Sequence, residues 1–291
     1  AWAGWRDRSA IASSTFSAVA EVWRERMLRQ AATTVNSVLH RAGMQLTRTE
    51  IGTGPRRIRA SMMVFDACNH QVQAGPFTGL RLAPSFLWGD ANIGAVVLGC
   101  YEQQLHGVIE ELIAADPDLV VNVGSAEGIY AIGLARRLRH AQVVAVDVEP
   151  DAEAAVRANA ELNSVAERVR FALAWGPSQL EAALAPAERP AVVFDCEGCE
   201  FELLDPVKVP SLGRARLLVE VHEQGHPGAV ATVRSRLAPT HRVIEITETG
   251  RNPHEYDVLR PMDSIDKWLV VCEGRGPTQT WLWAVPSAAE S

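Results

Sequence analysis

The sequence predicts an α/β fold, a mostly parallel sheet with helices on both faces and a helical extension at its N-terminal side. Three observations carry this. From residue 119 onward, short apolar runs rich in β-branched residues recur without polar alternation, as strands buried on both faces of a parallel sheet do. Helical stretches separate the runs, which makes βαβ units with right-handed crossovers. The first run then breaks into "VGSAEG", residues 123–128, a glycine turn of the kind that joins a strand to a helix.

In chain order, residues 9–43 read as a helix. Phe16, Val19, Trp23, Met27, Ala31, Val35, Val38 and Ala42 recur every third or fourth position, and Gly43 is a stop. Arg24, Arg26 and Arg29 sit off that stripe. Docking against the main domain, or against a second copy in a homodimer, is favoured over a membrane surface. Residues 50–92 are rich in Gly and Pro, with "AGPFTGLRL" and "LWGDANIG". Turns and at most a short hairpin are expected there, without a separate core. "CYEQQLHGVIEELIAADP" reads as a helix with Leu105, Val108, Ile109, Leu112 and Ile113 on one face, ended by Pro117.

Five candidate strands follow, "LVVNV", "QVVAVDV", "VRFALA", "AVVFDC" and "RLLVEVH", with helices expected at 128–139, 151–163, 200–206 and 227–237. "HRVIEIT" and "TWLWAVP" make seven, with residues 248–278 inserted between them. The organisation is therefore a helical extension over 1–50, a lead-in segment with its helix over 51–116, and the ligand-binding domain over 117–291.

Composition narrows the class. The chain has 291 residues, 47% apolar and 22% charged, as soluble globular proteins do. A net charge of −7 disfavours nucleic acid as a partner. No apolar run approaches the ~20 residues of a membrane span, and the start lacks the layout of a signal peptide. Cys68, Cys100, Cys196, Cys199 and Cys272 are odd in number and scattered, so a cytoplasmic setting with reduced thiols is expected. Cys196 and Cys199 have CxxC spacing. Two small residues beside a loop are the favoured reading, ahead of a redox or metal pair.

A parallel sheet of this kind binds ligands beyond the C-terminal ends of its strands. Gly124 permits the sharp turn, Gly128 lets the next helix approach, and the helix start aims free N–H groups into the turn. A dinucleotide site would show G-x-G-x-x-G. Ala126 stands at the central position here, and Glu127 would repel a pyrophosphate. An acidic residue there instead suits a ligand with a positive amine, such as S-adenosylmethionine. Asp147, at the end of the second strand, is placed to hold both hydroxyls of a ribose. Its other reading is a cap for the helix near Asp151.

"VNVGSAEGIYAIGLA", "AVDVEP", "DCEGCEFELL" and "LLVEVHE" together resemble a class I S-adenosylmethionine-dependent methyltransferase of the FkbM-like type, over roughly residues 75–286. The D-x-E-G-x-E run, Asp195, Glu197, Gly198 and Glu200, is the feature most typical of that group. The resemblance implies a Rossmann-like seven-stranded sheet whose last strand is antiparallel and slots beside the sixth. It also implies that Gly124, Ser125, Glu127 and Gly128 line the methionine part of the cofactor. Asp147 would hold the ribose, Ala174 and Trp175 would border the adenine, and Asp195 would close the site from the fourth strand. Asn122 departs from the acid often found at its position. It can hydrogen-bond to the cofactor but cannot pair with an ammonium, a charge that Glu127 is expected to supply.

Methyl transfer needs an acceptor placed in line and, for a hydroxyl, a base. Asp195, Glu197, Glu220 and His222 are the catalytic candidates. Glu220 and His222 share one side of their strand. The same four side chains could ligate a divalent metal, a reading ranked below hydrogen bonding to a small-molecule or sugar acceptor. Tyr101, counted with the cofactor site, and Glu102 and His106, read as i,i+4 neighbours on one helix, either reach the acceptor or cofactor from above or lie on the surface, with neither reading favoured. Glu273 and Arg275 either bind an anionic acceptor group or pair with each other. O-methylation of a small molecule or glycan is the expected activity. A nicotinamide-dependent oxidoreductase and a binding module without turnover are its rivals.

Overall fold

The computed structural model describes residues 54–87, 91–223, 226–275 and 278–287. The helix expected over 9–43, and any dimer contact through it, lie outside these residues.

The lead-in is more helical than its composition suggests. Helix α1 spans Gly54–Ala67 and buries Ala60, Ser61, Val64 and Phe65, one face at helical spacing. Gly54 and Pro55, read from sequence as loop, open that helix, and Pro is tolerated in a first turn because its missing N–H has no partner there. Helix α2, Ile93–Leu98, is buried throughout. Between them, Gln71 and Arg81 form one antiparallel bridge, which is the extent of the expected hairpin. The long helix expected over 100–117 is shorter, α3 at His106–Ala114, preceded by a 3-10 turn at Gln103–Leu105.

The sheet then builds as β1 (Leu119–Val123), α4 (Ile129–Arg137), β2 (Gln142–Asp147), α5 (Ala152–Leu162), β3 (Val169–Leu173), α6 (Pro177–Leu184), β4 (Pro190–Phe194), α7 (Glu200–Leu203), β5 (Arg216–Val221), α8 (Ala229–Leu237), β6 (His241–Thr247), α9 (Ser264–Val271) and β7 (Thr280–Pro286). All seven candidate strands form. Helix α6 was not expected, because its apolar face is only Leu180 and Leu184, and the helix expected over 200–206 stops at Leu203.

The strand order is β3-β2-β1-β4-β5-β7-β6. The first five strands pair in parallel, and β7 inserts antiparallel between β5 and β6. Strand alternation assigns the two faces. Val120, Val143, Val193, Leu218, Trp281 and Trp283 join the core that also takes α1 to α5. Val121, Val144, Val192, Leu217, Leu282 and Ala284 join the core under α6 and α8. Helix α9, from the insert, packs against α1 and α2 and adds Val270 and Val271 to the first core. The lead-in and the insert thus pack on the same face of the sheet.

Two backbones touch where the site forms. Gly124, at φ +79, leaves β1, and a Cβ built there would lie 1.6 Å from the carbonyl oxygen of Asp195 at the end of β4. Only glycine fits. Gly124→Ala is expected to lower the unfolding free energy by about 3 kcal/mol or more, since both a backbone clash and a left-handed alanine result. Gly107→Ala, where no atom lies within 4 Å, is the control and should gain about 0.5 kcal/mol from helix propensity. Urea midpoints of the two variants check both signs.

Candidate active site

The glycine turn is braced by the next strand. Gly124 and Ser125 both donate their N–H to the carbonyl of Val146, at 2.8 and 3.0 Å. Asp147 accepts from the backbone N–H of Ala126 at 2.8 Å and from that of Glu149 at 3.0 Å. Its carboxylate therefore holds the turn in place. It does not cap the helix near Asp151, and each oxygen keeps a lone pair for a further donor. Gly128, at φ +84, caps α4. A Cβ there would press on Val156 and Ile132, so this glycine serves the packing of α4 on α5. Glu127 is buried. It accepts from the N–H of Leu87, and its own carbonyl accepts from Asn159 at 2.8 Å. Ala174 donates its N–H to the carbonyl of Asp147, and the half-buried Trp175 packs beside it under Arg170.

Two polar side chains here lack partners. Asn122 is 1% exposed and Ser125 5%, and neither the amide of Asn122 nor the hydroxyl of Ser125 makes a hydrogen bond. Leaving such a group unsatisfied costs about 1–3 kcal/mol. Orphaned groups of this kind mark a place where a ligand or water completes the bonding.

The second half of the site gathers at the ends of β4 and β5. Asp195, Glu220 and Trp281 share one face of the sheet at its C-terminal edge, and His222 stands one pleat beyond. The Nε2 atom of His222 lies 3.7 Å from Asp195, 3.5 Å from Glu197 and 3.7 Å from Glu220. On its other side, Glu200 accepts both the backbone N–H of His222, at 2.9 Å, and Nδ1, at 3.2 Å, on one oxygen. The other Glu200 oxygen accepts the N–H of Gly198 at 2.9 Å. A carboxylate only accepts, so the proton of a neutral His222 sits on Nδ1 and the lone pair of Nε2 faces the three other acids.

Behind this group lies a buried charge network centred on Arg275. Its guanidinium donates to Glu220, to Glu102 and, at 3.0 Å, to Glu273. It stacks over Trp281 at 4.8 Å and Tyr101 at 5.8 Å. Glu102 also accepts the hydroxyl of Tyr130, and Glu220 accepts the indole N–H of Trp281 at 3.2 Å. Arg251 pairs with Glu273 at 2.5 Å and donates to the Cys100 carbonyl at 2.8 Å.

Burial sets the protonation of these groups. One guanidinium cannot neutralise three buried carboxylates. Burial, with the Asp195 and Glu102 charges beside it, pushes Glu220 up to about 10. Glu102 is raised by burial against the pull of Arg275. Burial and Glu102 push Asp195 up to about 7. For His222, burial works downward, yet the hydrogen bond and charge of Glu200, with the Asp195 and Glu197 charges, leave it raised. Glu200 is lowered: burial alone would raise it, but the hydrogen bonds from His222 outweigh that. Asp195 and His222 are therefore both held above their ordinary values, and the charge of each acts on the other.

The four catalytic candidates thus converge. Tyr101 lies against Arg275. The pairing of Glu273 with Arg275 holds, but it is one strand of a larger web. Three expectations need correction. Glu102 and His106 do not share a helical face: Glu102 has left-handed φ +48 ahead of the 3-10 turn, and His106 packs against Gly75 instead. Cys196 and Cys199 are not two free thiols but a disulfide, because the Glu197–Gly198 turn, with both φ positive, brings their Cα atoms to 5.5 Å. Glu200, quoted only as part of a motif, proves to be the residue that orients His222. One atom each of Asp195, Glu220 and His222 lie within 4.8 Å of one another, a geometry that a metal ion could use. An ion there would compete with Arg275 and Trp281 for Glu220. Among the described residues, no helix is long and apolar enough to cross a membrane.

No family model matches the chain. Over 112 residues it is 38% identical to the release factor glutamine methyltransferase of Chlorobaculum tepidum, a match that takes in 38% of this chain and 34% of that protein. The chain thus matches about a third of the length of that curated relative. Among solved structures it is similar to an O-methyltransferase from Bacillus cereus in complex with SAH, at 12% identity and a TM-score of 0.43 over 88% of this chain and 99% of that one. It is also similar to the O-methyltransferase TomG from Streptomyces achromogenes, in complex with SAM, at 15% identity and a TM-score of 0.40 over 87% and 98%. The observed sheet, with its antiparallel β7 between β5 and β6, is the one that the sequence resemblance implied. The chain has a Rossmann-like fold, a seven-stranded and mostly parallel sheet with helices on both faces.

Arg275→Met removes the cation and leaves Glu102 and Glu220 buried without it. A loss of about 3–5 kcal/mol is expected at pH 8. Glu220, pushed up to about 10, already carries its proton at pH 8, so the loss should shrink as the pH falls through protonation of Glu102. Denaturation at pH 8 and pH 5 tests the sign; an equal loss at both would show that packing, not charge, is what Arg275 supplies.

Proposed function

We propose that this chain is an S-adenosylmethionine-dependent methyltransferase of FkbM-like type that methylates an oxygen of a small-molecule or sugar acceptor. The observation that carries the reading is the adjacency of two half-sites. A glycine turn with two unpartnered buried polar side chains sits against the Asp195 carbonyl, and Asp195 faces an imidazole, His222, whose free nitrogen looks into a cluster of acids. The convergence of Asp195, Glu197 and Glu200 on His222 supports the FkbM-like part, since those are the acids of the D-x-E-G-x-E run. The Chlorobaculum tepidum relative supports methyl transfer as the chemistry; a match over 38% of the chain does not carry its acceptor across.

The residues fit the cofactor. Asn122 and Ser125 would offer unfilled donors and acceptors to its amino-acid end, Asp147 would use its remaining lone pairs for the ribose hydroxyls, and Trp175 would border the adenine. When bound, S-adenosylmethionine supplies an electrophilic methyl on a sulfonium. The protein's own part is to hold the acceptor hydroxyl and take its proton. Glu200 fixes His222 with Nδ1 protonated, so that Nε2 accepts the proton. Asp195 and Glu197 then face the imidazolium and stabilise it. Glu220, held by Arg275 and Trp281, keeps the floor of the pocket fixed.

Calorimetric titration should show micromolar binding of S-adenosylhomocysteine and none of NAD, with a chelator making no difference. Binding of NAD, or of neither, would sink the reading. Asn122→Leu should weaken S-adenosylhomocysteine about tenfold, the worth of one net hydrogen bond.

Because the acids hold His222 above its usual ~6.5, its base form appears only at higher pH. Turnover should therefore rise with pH through and beyond neutrality. Glu200→Gln removes a negative charge, lowers the His222 pKa and shifts that limb to lower pH, while the plateau rate falls. His222→Ala should cut kcat about 10²-fold or more and leave S-adenosylhomocysteine affinity nearly unchanged. A profile that Glu200→Gln does not move would remove His222 as the base.

A further inference from the structure

The Cys196–Cys199 disulfide is the one reactive feature of the site that methyl transfer leaves unused. We propose that it is a thiol–disulfide exchange site, that its reaction partner is a dithiol reductant, and that the disulfide form is the one in which His222 is held for proton transfer. The proposal rests on the methyltransferase reading for its turnover readout alone.

Placement makes the case. The bond closes the segment Cys196–Glu197–Gly198–Cys199 directly between Asp195, at the end of β4, and Glu200, at the start of α7. Three of the four carboxylates around His222 are therefore inside or next to the closed ring. Glu197 has φ +52, a left-handed conformation that costs a non-glycine residue about 1 kcal/mol or more and persists only where the surroundings enforce it. Its side chain is 87% exposed, so packing does not enforce it. The covalent ring does, and it thereby holds the Glu197 carboxylate 3.5 Å from Nε2 of His222. Both sulfurs belong to half-buried residues, which leaves room for an incoming thiolate.

The exchange balances without any other reactant. A thiolate of the dithiol attacks one sulfur and the other cysteine leaves as a thiolate. The second thiol of the reductant then attacks the mixed disulfide and frees the first cysteine. Two electrons and two protons pass to the chain, and the reductant departs as its own disulfide. The consequence for the site is specific. Glu197 is released from its left-handed conformation. The Cys196 sulfur, 3.6 Å from the Glu200 oxygen that accepts from Gly198, gains a proton and becomes a competing donor to the carboxylate that orients His222.

The test uses the full chain, oxidised or treated with dithiothreitol under native conditions. Alkylation and mass spectrometry should count three free thiols, Cys68, Cys100 and Cys272, in the first form and all five cysteines in the second. On reduction, the ring resonance of His222 in NMR spectra should shift and turnover should fall about tenfold, the scale of a weakened acid–base contribution. Cys196→Ser with Cys199→Ser should match the reduced form whether or not reductant is present, while Cys272→Ser should still respond to it. A bond that opens only in denaturant, or a His222 resonance and turnover identical in both forms, overturns the proposal. If neither form binds S-adenosylhomocysteine yet the His222 resonance follows the thiol count, the methyltransferase reading falls and the exchange site stands.

Discussion

Arg275 brings a single positive charge to a place where Glu102, Glu220 and Glu273 all turn their carboxylates inward. Those acids come from the lead-in, from the end of β5 and from the insert before β7. Their shared cation ties three distant parts of the chain over the C-terminal edge of the sheet. Arg251 relieves only Glu273, so a deficit of positive charge remains. The protein meets it with protons, holding Glu220 and Asp195 well above the usual carboxylate range. It also lends neutral donors, the Tyr130 hydroxyl and the Trp281 indole. The acids at this edge of the sheet are thus held by shared donors and neutralised in part by protons.

The second constraint is the contact between two turns. The segment after β1 passes so close to the segment after β4 that Gly124 has no room for a side chain, and Asp195 donates its N–H to the carbonyl of Val123 at 2.9 Å. Whatever fills the glycine turn therefore lies against the backbone of the first acid of the His222 cluster. Asp147 strengthens the coupling by bonding the turn from β2. The turn is thus fixed from both neighbouring strands, and ligand binding need not order it.

What the sequence made legible follows from range. The strands were plain because a strand buried on both faces must be apolar at every position, as "AVVF" and "RLLVEV" are, and because "TWLWAVP" is apolar on both faces too. Asp195, Glu197, Glu220 and His222 were legible as a group because they lie at two neighbouring strand ends, whereas the role of Glu200 toward His222 was not. Helix α1 was hidden by its opening Gly-Pro, which reads as loop although it suits a first turn. Glu102 was assigned to a helical face that it does not join, because nothing local shows that its backbone turns left-handed to reach Arg275, 173 positions away. The partners of Arg275 are set by tertiary packing, which pairs residues that no spacing rule connects.

Two acids of one motif, five residues apart, end with opposite tendencies, and the difference assigns their work. Glu200 is fully buried, which alone would keep it neutral, but three donors from His222 and Gly198 converge on it. It stays charged and can therefore orient an imidazole. Asp195 lacks such donors, and burial, with the Glu102 and Glu197 charges beside it, pushes it up to about 7 instead. A carboxyl raised to about 7 can carry a proton near neutral pH, whereas Glu200 cannot without losing its donors. Where neighbouring groups are driven apart in this way, the one that cannot titrate is the positioning group and the ones that can are the proton carriers. Under the proposed methyl transfer, a proton taken up by His222 would have Asp195 as its next carrier, and Glu200 would keep its charge throughout.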